Sequence, residues 1–265
     1  MSDFPIWLDG RLLPPGRAVL RADDNARLEG RGCYTTARIE RGRPRWPERH
    51  ARRLRGDARA LGLGEIAEDA VAEALAELGK ACFGQGEGVV RLQAFTDPEE
   101  ALHLLGTARA LGPEPDSWRA AIPPFPHPGP APWGGAKISG QLLYTLARAH
   151  AREAKVDECL LFDRHDRLVE GARSNLFFVD AAGALAAPDL ALGAVEGIAQ
   201  QLLREHLPTV KTCDLRPRRL GELRELLAVN AVRGARPILA VDAAPVGDGT
   251  PGPWSRRLSE ILAAA

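Results

Sequence analysis

Two residues in the middle of the chain carry side chains suited to amine and acid chemistry. Lys137 follows two glycines and lies between Ala136 and Ile138, so its neighbours in the sequence offer it no opposite charge. Burial would disfavour its ammonium form, as a lysine that forms an imine requires. Glu170 ends a predicted strand, and Gly171 lets the chain bend so that the carboxylate can face a cleft. Taken singly, a solvated loop lysine and a surface acid on a hairpin are the more ordinary interpretations.

The stretch 193–200 has the pattern of a glycine-containing loop that enters a helix, which predicts an anion site. The first N–H groups of that helix, those of Ile198 and Ala199, have no partner within the helix, and the helix dipole adds positive charge. Arg53, on a helix predicted earlier in the chain, can add a charge-assisted hydrogen bond. The alternatives are a plain helix N-terminus and an arginine on a solvated helix face.

An amine, an acid and an anion site together match the needs of one cofactor. Pyridoxal 5'-phosphate requires an amine for its aldehyde, an acid opposite its ring nitrogen and donors for its phosphate. Lys137 supplies the amine and Glu170 the acid, while the phosphate donors are Arg53, Ile198 and Ala199. A carboxylate beside the ring nitrogen keeps that nitrogen protonated, so the ring can accept electrons from a carbanion. Together these residues fit pyridoxal phosphate, although for each one taken singly the ordinary structural interpretation is still the favoured one.

The elements that must position these side chains alternate between strands and helices, which predicts an α+β protein. Strands are predicted over 6–13 (a hairpin around Asp9-Gly10), 33–40, 88–96, 101–110, 157–163, 167–170, 176–179, 226–230 and 237–241. Amphipathic helices are predicted over 47–62, 66–79, 141–154, 197–206 and 254–262.

A proline-rich segment divides these elements into two groups. Five prolines between 123 and 130 deny this stretch a helix or a central strand. We therefore predict an N-terminal α+β domain over 1–122, a linker over 123–135 and a C-terminal α+β domain over 136–265 that carries Lys137. Clefts between domains are common ligand sites.

The composition excludes several classes of function. The chain has 265 residues, 45% hydrophobic, with 35 basic and 35 acidic residues, which argues against a general nucleic-acid binder. No apolar run reaches membrane-spanning length, and residues 1–5 do not resemble a signal peptide. Four widely spaced cysteines predict reduced thiols in a cytoplasmic protein. We expect a small-molecule substrate, with no nucleic-acid or membrane partner.

Other catalytic motifs are absent from the sequence. There is no H-E-x-x-H, and the six histidines are scattered, so no metal site is predicted. The stretch 134–139 fails the phosphate-loop pattern on both sides of its lysine, and no G-x-S-x-G occurs. The short glycine pairs at 62–64 and 84–86 lack the third glycine of a dinucleotide site.

The chain resembles the class IV aminotransferases, the fold-type IV pyridoxal-phosphate enzymes, almost end to end. Residues 170–177 are similar to the family's E-G-x-x-S-N-L-F signature, and 50–54 match its H-x-x-R-L. Residues 193–198 are similar to its G-[IV]-x-x-G-[IVT] phosphate loop, with Ala194 off the pattern. Lys137 lies where the family carries its Schiff-base lysine, 33 residues before Glu170.

This resemblance implies the two-domain α+β architecture of fold type IV, similar to that of D-amino-acid aminotransferase. It also implies a homodimer whose sites are completed across subunits. Lys137 and Thr35 are the implied catalytic residues. The implied cofactor contacts are Arg53, Lys137, Glu170, Ser174, Asn175, Ile198, Ala199 and Ala231.

Within the family, several positions are most similar to the aminodeoxychorismate lyases. Residues 32–38, G-C-Y-T-T-A-R, are close to the lyases' G-C-F-T-T-A-R. Thr35 stands where the transaminases typically carry glutamate, and Leu142 stands where branched-chain enzymes carry tyrosine. The pair Asn230-Ala231 is also similar to the lyases.

Two positions depart from the lyase pattern. Thr96 stands where the lyases have an arginine expected to bind a substrate carboxylate, and residues 172–174 are closer to the transaminase form. Arg38, Arg91 and Arg109 are candidate replacements that the sequence does not rank.

The resemblance therefore implies a pyridoxal-phosphate lyase that releases pyruvate from 4-amino-4-deoxychorismate and leaves 4-aminobenzoate. The alternative is an aminotransferase for D- or branched-chain amino acids with a 2-oxo acid acceptor. A relative that only binds a ligand is disfavoured because both Lys137 and Glu170 are present.

Overall fold

A computed structural model describes residues 3–17, 21–67 and 69–265, which form two compact units. The first unit takes the described residues up to Pro113 together with Ala136–Gly140, and the second takes Glu114–Gly135 and Gln141–Ala265. Each unit combines one sheet with helices, which confirms the α+β prediction. No helix among the described residues is long and apolar enough to cross a membrane.

The first unit is a six-stranded sheet with helices on one face. Its strands are β1 (Ile6–Leu8), β2 (Arg11–Leu13), β3 (Gly32–Glu40), β4 (Arg43–Pro44), β5 (Gly88–Thr96) and β6 (Leu102–Arg109), and its helices are α1 (Asn25–Leu28), α2 (Pro47–Ala60) and α3 (Ala70–Phe83). The strand order is β2-β1-β6-β5-β3-β4, with every neighbouring pair antiparallel. Alternate side chains of β3 and β5 pack with α2 and α3 in one apolar core, as the period of two requires.

Helix α3 differs from its prediction at both ends. It begins at Ala70, and the predicted start at 66 spans residue 68, which lies outside the described residues. It continues past Gly79 to Phe83, although the glycine predicted a helix end. A Cβ at position 79 would lie 2.9 Å from the Ile39 side chain, so this glycine permits close packing of helix on strand.

The second unit is built on a nine-stranded mixed sheet. Its strands are β7 (Trp118–Ala121), β8 (Glu158–Phe162), β9 (Leu168–Gly171), β10 (Asn175–Val179), β11 (Leu185–Ala187), β12 (Lys211–Thr212), β13 (Glu225–Asn230), β14 (Gly234–Val241) and β15 (Ala244–Pro245). Its helices are α4 (Leu142–Glu153), α5 (Ile198–His206) and α6 (Pro253–Ala264), with 3-10 helices at Leu190–Leu192 and Pro217–Glu222. The strand order is β12-β11-β10-β13-β14-β7-β8-β9, and β15 pairs with β14.

Strand β7, which the sequence did not predict, explains why the N-terminal stretch of the first unit ends at Pro113. It pairs in parallel with both β8 and β14, so residues 114–122 belong to the second unit rather than to an N-terminal domain of 1–122. Segment 123–135, predicted as a linker, is also part of the second unit.

The segment Ala136–Gly140 belongs to the first unit because its backbone joins the edge of β3. The N–H of Tyr34 donates to the carbonyl of Lys137 at 2.9 Å, and the N–H of Ser139 donates to the carbonyl of Gly32 at 2.7 Å. Lys137 therefore packs with the first unit, whereas the sequence placed it in a C-terminal domain of 136–265. The stretch 1–5, which is predicted not to be a signal peptide, includes residues 1 and 2, which lie outside the described residues.

Candidate active site

Lys137 is held by its backbone on the first unit. Its N–H donates to Oδ2 of Asp57 at 3.0 Å, while its carbonyl accepts from Tyr34. Its Nζ lies 4.7 Å from the centroid of the Tyr34 ring, within the range of a cation–π contact. Both backbone polar groups of this half-buried lysine are thus engaged, and its amine lies over an aromatic face.

Thr35 and Arg53, two predicted site residues, are in direct contact. Nη2 of Arg53 donates to Oγ1 of Thr35 at 2.6 Å, which leaves the hydroxyl proton for Nδ1 of His50, also at 2.6 Å. Burial, and then the charge of Arg53, lower the pKa of His50 well below its usual range, so its ring is neutral. Thr35 is fully buried between these two side chains on the helix side of the sheet.

Arg53 has further donor capacity. Burial lowers its pKa, and Asp57 one turn later on α2 opposes that shift, so the guanidinium remains charged. Its Nε is buried and has no hydrogen-bond partner among the described residues. A buried donor without a partner costs about 1–3 kcal/mol, which favours an acceptor that the chain itself does not provide.

Arg91 and Lys137 both lie against the ring of Tyr34. The Cζ of Arg91 is 3.6 Å from the centroid of the Tyr34 ring, the ring that Lys137 also faces. The separation of the two cations is therefore at most the sum of their distances to the Tyr34 centroid. The other two candidate arginines have different surroundings.

Arg38 is paired with the carboxylates of Glu40 at 2.9 Å and Glu87 at 3.0 Å. Arg109 is exposed and donates to the carbonyl of its own neighbour in the chain. Thr96 is fully buried, and its hydroxyl accepts a hydrogen bond from the Asn25 side chain at 3.2 Å. Thr96 therefore helps to hold the start of α1. Of the three arginines, Arg91 is the one that the structure places next to the lysine.

Glu170 is buried at the end of β9 in the second unit, with 3% of its surface exposed. The hydroxyl of Tyr144 donates to Oε1 at 2.6 Å, and the N–H of Val195 donates to Oε2 at 3.1 Å. This excludes the interpretation of Glu170 as a surface acid on a hairpin. Sequence reasoning missed Tyr144, which lies on α4, two positions from the Leu142 that it did compare with the family.

The loop between β9 and β10 is organised by Glu158, which sequence reasoning also missed. This buried carboxylate accepts from Oγ of Ser174 at 2.6 Å and from the N–H groups of Ala172 and Cys159 at 2.9 Å. Burial raises the pKa of Glu158 and these hydrogen bonds oppose the shift. A Cβ at Gly171 would lie 2.5 Å from Oγ of Ser174, so the glycine of the signature makes room for this contact. The Ser174 hydroxyl thus supports the loop.

Asn175 connects that loop to the predicted anion site. Its Nδ2 donates to the carbonyl of Val195 at 2.8 Å, and a Cβ on Gly197 would collide with its Oδ1. Gly197, the residue directly before α5, is in an extended conformation, and no side chain of the described residues caps this helix. The N–H groups of Ile198 and Ala199 are the first of the helix, where an anion is favoured.

Ala231 lies in the turn between β13 and β14. Oδ1 of Asn230 shapes this turn by accepting from the N–H groups of Val232 at 3.0 Å and Arg233 at 2.8 Å. Arg233 pairs with Glu114, which also binds Arg173 at 2.7 Å. The predicted residues therefore fall into two sets, Thr35, Arg53 and Lys137 in the first unit and the other six in the second. Among the residues that the structure describes, no hydrogen bond joins Ala231 to the other five of the second unit.

The sequence comparisons identify a family and a lyase relative. The chain matches the model of the family "Amino-transferase class IV" over residues 32–241. Over 60 residues it is 40% identical to the bifunctional aminodeoxychorismate lyase / D-amino acid transaminase of Mycobacterium tuberculosis. The matched segment is 23% of this chain and spans about a fifth (21%) of that protein.

Solved structures confirm the predicted fold. The 4-amino-4-deoxychorismate lyase from Pseudomonas aeruginosa superimposes with a TM-score of 0.84 at 26% identity, covering 98% of each chain. The branched-chain aminotransferase from Thermoproteus uzoniensis gives 0.85 at 22% identity, covering 98% of this chain and 93% of that one. This chain therefore has the fold that the resemblance implied.

Proposed function

The chain belongs to the class IV aminotransferase family, and we propose that it is a pyridoxal-phosphate lyase that converts 4-amino-4-deoxychorismate to 4-aminobenzoate and pyruvate. The contact that carries the choice of lyase is the 2.6 Å hydrogen bond from Arg53 to the hydroxyl of Thr35. Position 35 is where the transaminases of the family typically carry glutamate, and the hydroxyl that stands there is held between Arg53 and His50. The likeness to the Pseudomonas lyase supports the same choice.

Each unit, considered by itself, contains residues that fit a part of pyridoxal phosphate. In the first unit, Nε of Arg53, which has no partner among the residues that the structure describes, suits a phosphate oxygen, and Lys137 supplies the amine for the aldehyde. In the second, the start of α5, which no described side chain caps, offers the N–H groups of Ile198 and Ala199 to an anion, and Glu170 supplies the buried acid for the ring nitrogen. When bound, the cofactor supplies an electron sink for negative charge at the substrate's amine-bearing carbon.

Lys137 is the proposed proton carrier. The Nζ of Lys137 removes the proton from the amine-bearing carbon of the substrate. Contact with the Tyr34 ring limits the positions that this Nζ can take. In the lyase reaction, loss of this proton leads to elimination of the enolpyruvyl group and to an aromatic ring. Arg53 in the first unit and the start of α5 in the second are each suited to an anion and take no part in proton transfer.

Arg91 is the proposed partner of a substrate carboxylate. It lies beside Lys137 over the same aromatic ring, and a guanidinium binds a carboxylate through two parallel hydrogen bonds. Arg38 is already paired with two acids, and Arg109 is exposed on β6. Arg91 would thus replace the arginine that the lyases carry at the position of Thr96.

An aminotransferase for D- or branched-chain amino acids is the second candidate. It is favoured by the absence of an arginine at position 96 and by the form of the loop 172–174. The mycobacterial relative is named as both a lyase and a D-amino acid transaminase, and the Thermoproteus enzyme is a branched-chain aminotransferase. In this reaction Lys137 would take the proton from the substrate carbon and give it back during amino transfer. Water would supply the oxygen of the departing keto acid, and the amino group would pass to the 2-oxo acid acceptor.

The assembly and compartment belong to the proposal as well. We expect a homodimer in the cytoplasm, where the buried thiols of Cys33 and Cys159 stay reduced. Burial raises the pKa of the Cys159 thiol to about 12, which keeps it protonated and unreactive. Light scattering should give twice the 28.5 kDa of one chain.

Product analysis tests the function directly. Purified protein is incubated with pyridoxal phosphate and 4-amino-4-deoxychorismate, and 4-aminobenzoate and pyruvate are followed. Parallel assays use D-alanine, D-glutamate and L-leucine with 2-oxoglutarate as acceptor. The lyase predicts equal amounts of the two products with negligible amino transfer, and efficient amino transfer without lyase turnover would overturn it.

A further inference from the structure

A buried histidine lies inside the proline-rich segment. His127 has 4% of its surface exposed, and its backbone N–H donates to the carbonyl of Phe162 at 2.7 Å. It also forms an isolated parallel bridge with Asp163 directly after β8. The prolines around it deny the segment a helix, but this backbone pairing gives it a defined place on the sheet of the second unit.

The hydrogen bonds of the His127 ring identify its tautomer. The N–H of Gly129 donates to Nδ1 at 3.0 Å, so Nδ1 is an acceptor without a proton. The ring proton is then on Nε2. Nε2 lies 3.6 Å from Oε1 of Glu170, longer than a hydrogen bond but close enough for the N–H dipole to act on the carboxylate.

Two stronger donors act on the same carboxylate. Tyr144 donates to Oε1 at 2.6 Å and the N–H of Val195 donates to Oε2 at 3.1 Å. Donors on both oxygens fix the plane of the Glu170 carboxylate as well as its position. Tyr144 comes from α4, Val195 from the anion loop and His127 from the proline-rich segment, so three separate stretches of chain hold this one acid.

The proline-rich segment also supports the anion loop. A Cβ at Gly193 would collide with the carbonyl of Gly129, so only glycine allows this approach, and Gly193 has a φ of 101°. Further along, the carbonyl of Gly135 accepts from the N–H of Glu196 at 3.1 Å. The segment therefore contacts both the acid and the loop that precedes α5.

We propose that His127 and Tyr144 are positioning residues that orient the carboxylate of Glu170 toward the ring nitrogen of the cofactor. The inference rests on the proposed function, because the partner of Glu170 is the pyridoxal phosphate assigned there. It assigns a role to a segment that the sequence pattern alone identifies as a linker, and to a tyrosine that the family signatures do not include.

A matched pair of variants separates the two uses of His127. In His127→Asn the side-chain oxygen can replace Nδ1 as acceptor for Gly129, but the donor toward Glu170 is lost. In His127→Gln the side-chain amide places an N–H near the position of Nε2, toward Glu170. The acceptor for the N–H of Gly129 is then no longer in place. Tyr144→Phe removes one hydroxyl, and Thr145→Ala removes a hydroxyl from the next, exposed residue of α4 as the control.

Three quantities are measured for each variant: kcat and KM, the dissociation constant of pyridoxal phosphate from the cofactor-free protein, and the melting temperature of that protein. Tyr144→Phe and His127→Asn should lower kcat on the order of tenfold. KM should stay within about twofold. His127→Asn should melt close to the wild type, whereas Tyr144→Phe should melt slightly earlier because it removes a hydrogen bond to a buried carboxylate. His127→Gln should recover most of the lost kcat, and Thr145→Ala should match the wild type.

Glu170→Gln separates failure of this inference from failure of the proposed function. If Glu170→Gln is strongly impaired while Tyr144→Phe and His127→Asn behave as the wild type, the positioning role is overturned and the function stands. If His127→Asn and His127→Gln are equally impaired and melt earlier, His127 serves only to fold the segment, and its proposed role is overturned. Wild-type kcat and cofactor affinity in Glu170→Gln would overturn both.

Discussion

The backbone N–H of Lys137 donates a hydrogen bond to Oδ2 of Asp57 at 3.0 Å, which ties the lysine to the helix that carries Arg53. Asp57 and Arg53 are four residues apart on α2, so both project from the same face of the helix. One helix therefore positions the phosphate arginine by its side chain and the lysine through its backbone.

Removing the Asp57 carboxylate should loosen the lysine segment. Asp57→Ala is expected to lower the free energy of unfolding by about 1.5–3 kcal/mol, the range for a hydrogen bond to a charged group. Asp57→Asn keeps an oxygen acceptor and should recover a large part of that loss. Urea unfolding of the three proteins checks this, and an Asp57→Ala protein as stable as the wild type would contradict the contact.

Arg53 should act on cofactor affinity. Arg53→Ala is expected to weaken binding of pyridoxal phosphate by about 1.5–3 kcal/mol, because it removes a charged donor to the phosphate. Arg52→Ala, its exposed neighbour on α2, is the control and should bind as the wild type does. Fluorescence titration of the cofactor-free proteins gives both affinities. Equal affinities in all three would assign the phosphate to other donors.

Arg91 should act on substrate binding. Arg91→Leu is expected to raise KM for 4-amino-4-deoxychorismate on the order of tenfold to hundredfold while kcat changes far less. Arg91→Lys keeps the charge but loses the planar fork, so it should fall between Arg91→Leu and the wild type. Arg109→Leu is the control on the neighbouring strand β6. An unchanged KM in Arg91→Leu would remove this arginine from the substrate site.

His103 should make stability depend on pH. Partial burial lowers its pKa, but hydrogen bonds and attraction from Asp9 at 2.7 Å and Asp97 at 3.3 Å outweigh burial and raise it. Because the folded pKa is the higher one, the contribution is fully present below the unfolded pKa of about 6.5. It is lost as pH rises through the folded value.

Unfolding of the wild type and His103→Gln from pH 5 to pH 9 measures this contribution. The stability difference between the two proteins should be largest near pH 5 and should shrink as the pH rises. His165→Gln, at an exposed position in the second unit, is the control. A difference that stays constant with pH would show that His103 contributes packing alone.

Local patterns were sufficient to predict most of the elements. The Asp9-Gly10 hairpin adopts positive φ angles of 45° and 84°, as its residue types require, and β5 spans Gly88–Thr96 as predicted. Strand β7 was missed because Trp-Arg-Ala-Ala has no alternation of its own. It becomes a strand by pairing with β8 and β14, which lie far along the chain.

The site residues also divide into those that local sequence patterns predict and those that depend on long-range contacts. Glu170 and Arg53 belong to local signatures and were predicted, whereas His127, Tyr144 and Glu158 act through contacts with distant parts of the chain. The prolines around His127 correctly exclude helix and central strand, but they carry no information on the carbonyl of Phe162 that binds its backbone. A proline pattern describes the local backbone, and long-range pairing decides whether the segment is a linker.

Reductive trapping tests the central claim, that Lys137 is the amine of a pyridoxal-phosphate enzyme. The chain has four lysines, Lys80, Lys137, Lys155 and Lys211, so peptide mass mapping can assign the label without ambiguity. Protein loaded with pyridoxal phosphate is reduced with borohydride, digested and mapped, with Lys137→Ala as the control. We predict the pyridoxyl mass on the peptide that contains Lys137 and no label in the variant. Labelling of Lys80, Lys155 or Lys211 instead, or no incorporation at all, would contradict the account.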